Sequence, residues 1–364
     1  MQVKTVFYSG FYFFQVFYSY ISLLNDFPFL ILKFPKRQIM TQNIAIVGAG
    51  ISGLSAARKL IEKHNVSIFD KSRGVGGRMS TRYSELYEFD HGAQYFTAKD
   101  ERFKMILSSE TFEDVIKPWD SRAFYKKEND LIPDTGGFRY VSYPRMNSFA
   151  KKLSKGLNIS LNSNVSSIHK DKEKWVLETA DGRVYRDFDL VILALPNQQA
   201  ISLMPIETNY FKKVKEVEMD PCFALMIGLK KKYDFGWDSL RLNNNINSWL
   251  AVNSSKPERS TDQTALVIHS AVEWSKKNKS GDITWVQDQM EAAASKTCGI
   301  DISEAHHKVI HRWMFASVSK PSSEGCFYDP SLKIATCGDW CNGGRVEGAY
   351  ISGLMVAKII EGLV

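Results

Sequence analysis

The sequence predicts an α/β protein: a Rossmann-like dinucleotide-binding domain joined to a second, strand-rich α+β domain. Three features carry that expectation. A glycine turn, GAGISGL, stands between an apolar run and a helix-spaced segment; the middle of the chain alternates as strands do; and a Gly-Asp turn followed by a helix closes the C-terminal region. At 364 residues and 44% hydrophobic content the chain is too long for one core of ordinary size, so two domains are expected.

From Asn43, NIAIVGAGISGLSAARKLIEKHNVSIFDKS reads as strand, tight turn, helix, strand. Ile44, Ile46 and Val47 form the apolar run of a buried parallel strand. Leu54, Ala57, Leu60 and Ile61 recur at helical spacing, and Val66, Ile68 and Phe69 make the second strand. In such a βαβ unit one glycine allows the bend, the next lets backbone approach a diphosphate, and the third permits close helix packing. The helix start then offers unpaired N–H groups to the anion. Gly48, Gly50 and Gly53, with Ser52 on the first helical turn, are expected to hold the diphosphate of an adenine dinucleotide. Asp70 ends the second strand 20 positions beyond Gly50, placed to accept hydrogen bonds from ribose hydroxyls.

Directly after Asp70 comes KSRGVGGRMSTR, a second glycine cluster with an arginine. It resembles the second signature of the flavoprotein group that includes the amine oxidases, where it meets the diphosphate and ribityl region of FAD. Nicotinamide dehydrogenases do not need it. The expected cofactor is therefore noncovalently bound FAD, and Lys71, Gly77, Arg78 and Met79 join its site. Asn164-Val165 opens an alternating stretch that returns to the strand Leu190 to Leu195, and by position Val165 is expected at the adenine. In the segment LKIATCGDWCNGGRVEGAYISGLMVAKIIEGL a short strand precedes Gly338-Asp339, then a helix that buries Leu354, Ala357, Ile359 and Ile360. Asp339 suits a ribityl hydroxyl. Gly348 and Ala349 at the helix start are expected to aim N–H groups at the flavin N1/O2 edge.

The cofactor domain is thus expected to comprise residues 41–116, 145–203 and 324–364, and the substrate domain residues 117–144 and 204–323. The latter shows strand alternation in FALMIGLKKKY, SWLAVN and TALVIHSAVEW, a helix in ITWVQDQMEAAASKTCG, and turns at Pro221, Asn243 to Asn245 and Lys256-Pro257.

Residues 1–39 differ in kind. They hold 12 of the 37 Phe and Tyr residues, and Thr5 to Leu24 is uncharged, long enough to cross a bilayer. Asn25, Asp26 and Pro28 interrupt the stretch and no cleavage site follows, so Met40 is the expected start of the folded protein. Membrane association is expected only if the leader is retained; otherwise the expected location is the cytoplasm. Five cysteines, widely spaced and odd in number, argue for a reducing compartment and against a disulfide framework. The net charge of +7 lies in separate short clusters without a nucleic-acid signature; it suits phosphate-bearing small ligands, and no nucleic-acid partner is expected.

The segments IAIVGAGISGLSAARKL, FDKSRGVGGRMSTR, DHGAQYF, LVIHSAVEWS, HRWMFA and CGDWCNGGRVEGAYISG, in order across residues 43–357, resemble renalase and its bacterial relatives. The resemblance implies a p-hydroxybenzoate-hydroxylase-like fold and an oxidase acting on dihydropyridine isomers of NAD(P)H, the 2- or 6-dihydro forms. Its products would be NAD(P)+ and, from O2, hydrogen peroxide. The partners so implied are a small-molecule dinucleotide and O2. A flavin amine oxidase acting on a small amine, and a non-enzymatic flavin-based redox sensor, are the alternatives.

Hydride loss from a dihydropyridine leaves an aromatic cation and no proton to remove, so the protein's task is mainly to stack and hold the donor ring. The expected pocket is aromatic with a few polar anchors. Gln94, Tyr95 and Phe96 border the flavin ring by resemblance, with core packing the competing role for Phe96. His269 is expected to face the pocket and contact substrate, unless it is a satisfied core histidine. Trp274 is expected mainly in the core. His307 and His311 lie too far apart on an extended strand to share a metal, and no metal site is expected. For Arg345 and Glu347, flanking the last helix, a surface ion pair is the plain alternative to a role in the site.

Overall fold

The computed structural model describes residues 40–363 apart from 129, 244 and 261. The expectations for residues 1–39 lie outside the described residues.

The first strand, Asn43–Val47, is the hub of a six-stranded sheet because its residues Ile44 to Ile46 are fully buried and can be covered on both faces. It pairs in parallel with Asn65–Phe69 on one side and Leu190–Leu193 on the other, with Ile46 opposite both Ile68 and Ile192. Asn158–Ser160 extends the sheet at one edge, and Ile334–Thr336 with the antiparallel Phe327–Asp329 at the other. The helix Ile51–Leu60 packs on this sheet through Leu54, Ala57 and Leu60, while Ile61, expected on the same face, is 40% exposed just beyond the helix end. The closing helix Val346–Ile360 lies against it, burying Tyr350, Ile351, Val356 and Ala357; Leu354, Ile359 and Ile360 are only half-buried flankers, a shift of the buried face from the expected one. A three-stranded meander, Val165–Asp171, Lys174–Thr179 and Val184–Phe188, covers the other side.

The second sheet has seven strands drawn from two stretches of chain. In spatial order they are His307–Lys320, Glu218–Leu229, Thr264–Ser270, Asn247–Val252, Ser239–Leu242, Ala123–Lys127 and Asp130–Pro133. Period-two alternation gives this sheet two unlike faces. One cross-strand row, Leu240, Leu250, Ile268, Leu225 and Ile310, joins a core with Val286, Met290 and Ala294 of the helix Ile283–Cys298. Asp282 caps that helix by accepting from the N–H groups of Thr284 and Trp285.

Two expectations fail here. Pro221 does not mark a turn; it lies inside the strand Glu218–Leu229, at an irregularity in the pairing between Asp220 and Cys222, where a residue without an N–H can be tolerated. The run SAVEW does not continue its strand, because Ala271 starts the helix Val272–Asn278. Trp274 therefore packs from that helix on Phe223 and Trp285, in the core.

Candidate active site: a cofactor cradle and an imidazole-indole wall

A cavity of about 2310 Å³ runs from the glycine turn to the inner face of the seven-stranded sheet. Its first end is built by backbone. Gly48 has φ +109°, and a Cβ there would stand 2.4 Å from the Ala194 carbonyl oxygen. A Cβ on Gly53 would stand 2.1 Å from the Gly48 carbonyl oxygen, so the helix could not approach the turn. Gly50 is the opposite case: nothing lies within 4 Å of its would-be Cβ, which leaves the backbone bare towards the cavity. Leu54 N–H is the first to find an intrahelical partner, in Gly50, so the N–H groups of Ile51, Ser52 and Gly53 are without helical acceptors. No acid stands in that first turn.

Asp70 accepts from Ala49 N–H at 2.7 Å and Ser72 N–H at 2.7 Å, locking the glycine turn to the end of the second strand. Each carboxylate oxygen keeps a further acceptor site for a ribose hydroxyl. The second glycine cluster folds over the first: Gly76 N–H donates to Ala49, and the would-be Cβ of Gly77 lies 3.5 Å from Gly50 Cα. Lys71 and Met79 line the same cavity, and Val165, 8% exposed, borders it at the start of the meander. Arg78 makes a two-pronged ion pair with Asp339, at 2.9 and 2.5 Å, joining the second glycine cluster to the turn after Gly338.

The closing helix departs from expectation. Ala349 N–H is spent inside the helix on the Arg345 carbonyl, so the free amides are those of Val346, Glu347 and Gly348. Gly348 is a packing residue, since a Cβ there would meet the Asn342 carbonyl oxygen at 2.1 Å. Glu347 makes no ion pair with Arg345; its Oε1 accepts from the N–H groups of Lys99 and Asp100, at 2.6 and 2.7 Å.

At the other end, one row of directly opposed residues crosses the seven-stranded sheet: Tyr125, Arg241, Trp249, His269, Ala224 and His311. Opposed residues share a face. Arg241, Trp249, His269 and His311 all line the cavity, joined by Trp313. Trp313 Nε1 donates to the His91 carbonyl at 3.0 Å, and His269 Nε2 lies 3.2 Å from the same oxygen. A carbonyl only accepts, so His269 carries its proton on Nε2. The His91 ring stacks on Trp313 at 5.2 Å and meets His311 edge-on at 5.0 Å. Burial pushes the pKa of His269 down to about 4. It does the same to His91, helped by the nearby His311 and Arg82. The wall is therefore neutral at pH 7.

The segment DHGAQYF supplies more than the three residues expected from it. Gln94 is buried, its Nε2 donating to the backbone carbonyls of Gly92, at 3.1 Å, and of Asp90, and its Oε1 accepting from Lys256 at 3.4 Å. Tyr95 sits in an aromatic corner, 5.7 Å from Trp249 and 6.5 Å from Trp119. Phe96 is a core residue; its ring packs on Phe103, Tyr140 and Phe149. Behind Gln94, fully buried Asp90 binds Lys256 at 3.2 Å and Arg259 at 2.7 Å. Sequence reasoning missed His91, although it stands inside the quoted motif, and missed the Lys256–Asp90–Arg259 cluster because KPE reads as a turn. Among the described residues no group of three or more His, Cys, Asp or Glu is placed to hold a metal.

A glycine cradle at a helix start, an acid at the end of the next strand, an opposing strand-rich domain and a neutral imidazole-indole wall fit a Rossmann-type flavoprotein oxidoreductase. Comparison with known proteins agrees. Residues 46–109 match an NAD(P)-binding Rossmann-like domain, and residues 107–360 match the family described as flavin containing amine oxidoreductase. The chain belongs to that family, its cofactor is FAD, and it is an FAD-dependent oxidoreductase. Over 76 residues it is 42% identical to the 4,4'-diapophytoene desaturase of Staphylococcus haemolyticus, a match covering 20% of this chain and 15% of that one. The Staphylococcus aureus (strain Newman) desaturase is 44% identical over 50 residues, 14% of this chain and 10% of its own length. The chain thus matches less than a fifth of the length of these curated relatives. In fold it is similar to reduced UDP-galactopyranose mutase (TM-score 0.71, 11% identity, covering 90% and 95% of the two chains). It is also similar to the cyclohexylamine oxidase of Brevibacterium oxydans IH-35A (TM-score 0.67, 12% identity, 88% and 99%) and to putrescine oxidase bound to putrescine (0.67, 12%, 89% and 99%). No described helix is long and apolar enough to cross a membrane.

Proposed function

We propose that this protein is a renalase-like oxidase that takes hydride from 2- or 6-dihydro isomers of NAD(P)H, giving NAD(P)+ and hydrogen peroxide. The observation that carries the reading is the charge of the cavity. Among the described residues ten Lys and Arg line it against two acids, Asp70 and Asp339, both at the cofactor end, and Asp339 is already paired with Arg78. A cationic amine would find no carboxylate at the imidazole-indole wall. A dinucleotide, carrying two phosphates, would meet an electropositive mouth.

The residues present fit FAD. The free amides of Ile51, Ser52 and Gly53 would hold its diphosphate, Asp70 its adenosine ribose, Arg78 and Asp339 its ribityl region, and the amides of Val346, Glu347 and Gly348 its pyrimidine edge. When bound, FAD supplies the two-electron acceptor, and O2 accepts those electrons in turn to leave as hydrogen peroxide. The chain's own contribution is positional. Trp249, Trp313 and the neutral rings of His269 and His311 offer flat surfaces for a planar donor ring. Being uncharged, they do not repel the pyridinium cation that forms as hydride leaves. No side chain has to accept a proton from the donor, which matches a wall whose imidazoles are held neutral, with His269 Nε2 already donating to the His91 carbonyl.

A small-amine substrate is the second reading, favoured by the family and by the likeness to putrescine and cyclohexylamine oxidases. Anaerobic mixing of the yellow holoenzyme with 2-, 4- and 6-dihydro isomers of the nicotinamide dinucleotide, and separately with putrescine and cyclohexylamine, separates the two. Rapid bleaching of flavin absorbance by the 2- and 6-dihydro isomers alone is expected. Bleaching by an amine, with none by any dihydropyridine, would overturn the proposal.

A further inference from the structure

Resting on the reading of an anionic dinucleotide substrate, we infer that Arg241 is the residue that grips the substrate's diphosphate, two strands away from the ring-binding wall. Arg241 stands directly opposite Trp249, and Trp249 directly opposite His269, so the three side chains share one face of the sheet and one cavity. Strand spacing puts Arg241 about 10 Å from His269 across that row. A nicotinamide ring held at His269 and Trp313 would place its ribose over Trp249 and its diphosphate at Arg241.

Place in the sheet and the commitments of the neighbours together single out this cation: Arg82, Lys99, Lys151 and Arg345 also line the cavity but lie outside the seven-stranded sheet, away from the row of Trp249 and His269. Arg78 is committed to Asp339, and Arg312 donates to the Gly281 carbonyl at 2.7 Å and lies over Phe223 at 5.5 Å. Lys104 pairs with Glu101, and Lys71 and Arg73 stand at the far end beside Asp70. Arg241 makes no salt bridge and no side-chain hydrogen bond among the described residues; its guanidinium rests over the Trp249 ring at 5.6 Å. An indole face orients the planar fork without using its donors, which remain available for bidentate contact with phosphate oxygens. Beyond it in the same row is Tyr125, 40% exposed, where the distal nucleoside would emerge.

ADP-ribose, which carries the diphosphate and both riboses but no nicotinamide, tests this without any turnover. Its binding to the FAD-loaded protein is measured by calorimetry for the native chain, Arg241→Gln and Arg241→Lys, with flavin content recorded for each. The expected result is a Kd raised about 10- to 100-fold by Arg241→Gln, in keeping with loss of a charge-assisted contact, a smaller rise for Arg241→Lys, and unchanged flavin content. Equal affinity in all three proteins, or no binding by the native chain, would overturn the inference. Because the readout needs no hydride donor, its failure is distinct from failure of any dihydropyridine to bleach the flavin.

Discussion

Replacing Asp90 should be among the most damaging single changes in the protein, and its cost follows from the charges it separates. Asp90 is fully buried, as is Lys256, and Arg259 is almost so. Its Oδ2 serves both cations, while its Oδ1 accepts from Thr81 Oγ1 at 2.7 Å and Met146 N–H at 3.1 Å. The two cations hold the carboxyl well below the usual carboxylate range despite burial. One anion cannot serve two cations fully, and burial together with Arg259 pushes Lys256 down to about 8. In Asp90→Ala the lysine can shed its proton but Arg259 cannot, so a buried charge is stranded along with a hydroxyl and an amide. The expected loss is about 3–5 kcal/mol. At the roughly 2–4 °C per kcal/mol of a 150–250-residue chain this would be a fall in melting temperature of about 6–20 °C, and for this longer chain it should lie towards the lower end. Lys256→Met removes only the surplus cation and should cost about 1 kcal/mol or less, and adding it to Asp90→Asn should recover part of that variant's loss. Urea unfolding of the holoenzyme, followed by tryptophan fluorescence, reads all four. An Asp90→Ala protein within about 1 kcal/mol of native, or strict additivity in the double variant, would refute the reasoning.

Two further outcomes are expected. Gly50→Ala and Gly53→Ala should separate cofactor binding from folding. The first leaves the apo fold intact and weakens FAD about 10- to 100-fold by crowding a diphosphate contact; the second costs about 1–3 kcal/mol of stability by forcing the helix off the turn. Apo-protein melting and FAD titration of each variant check this. Acid should also destabilise the wall. His91 and His269 have folded pKa values near 4 against an ordinary value of 6.5, so the unfolded chain binds more protons between those limits. Stability is then present above pH 6.5 and is lost as pH falls towards 4, at up to about 2.7 kcal/mol per pH unit for the pair. Replacing both by Gln should flatten that limb of a stability-against-pH curve, and an unchanged limb would count against buried neutral imidazoles.

Local pattern was enough for the cofactor end, because each of its parts is a short-range device. Gly48, Gly50 and Gly53 are set by one strand, one turn and one helix start, and Asp70 by the end of the next strand, so spacing alone placed them together. The helix Ile283–Cys298 was readable in the same way from its periodicity. Where backbone geometry overrides spacing, the reading slipped: Ala349 sits one residue too far into its helix to have a free amide. Phe96 borders the cavity with its ring packed in the core, the competing role that spacing had left open.

What the sequence alone determined is the glycine turn and helix start of residues 48–53, with its unpaired main-chain amides, since that cradle is made from consecutive residues. What only the tertiary structure decided is the imidazole-indole wall. Arg241, Trp249, His269 and His311 come from four strands, and only cross-strand register sets them in one row on one face. A slip of a single residue in any of those strands would turn its member of the row towards the opposite core, and no local periodicity specifies which partner lies across.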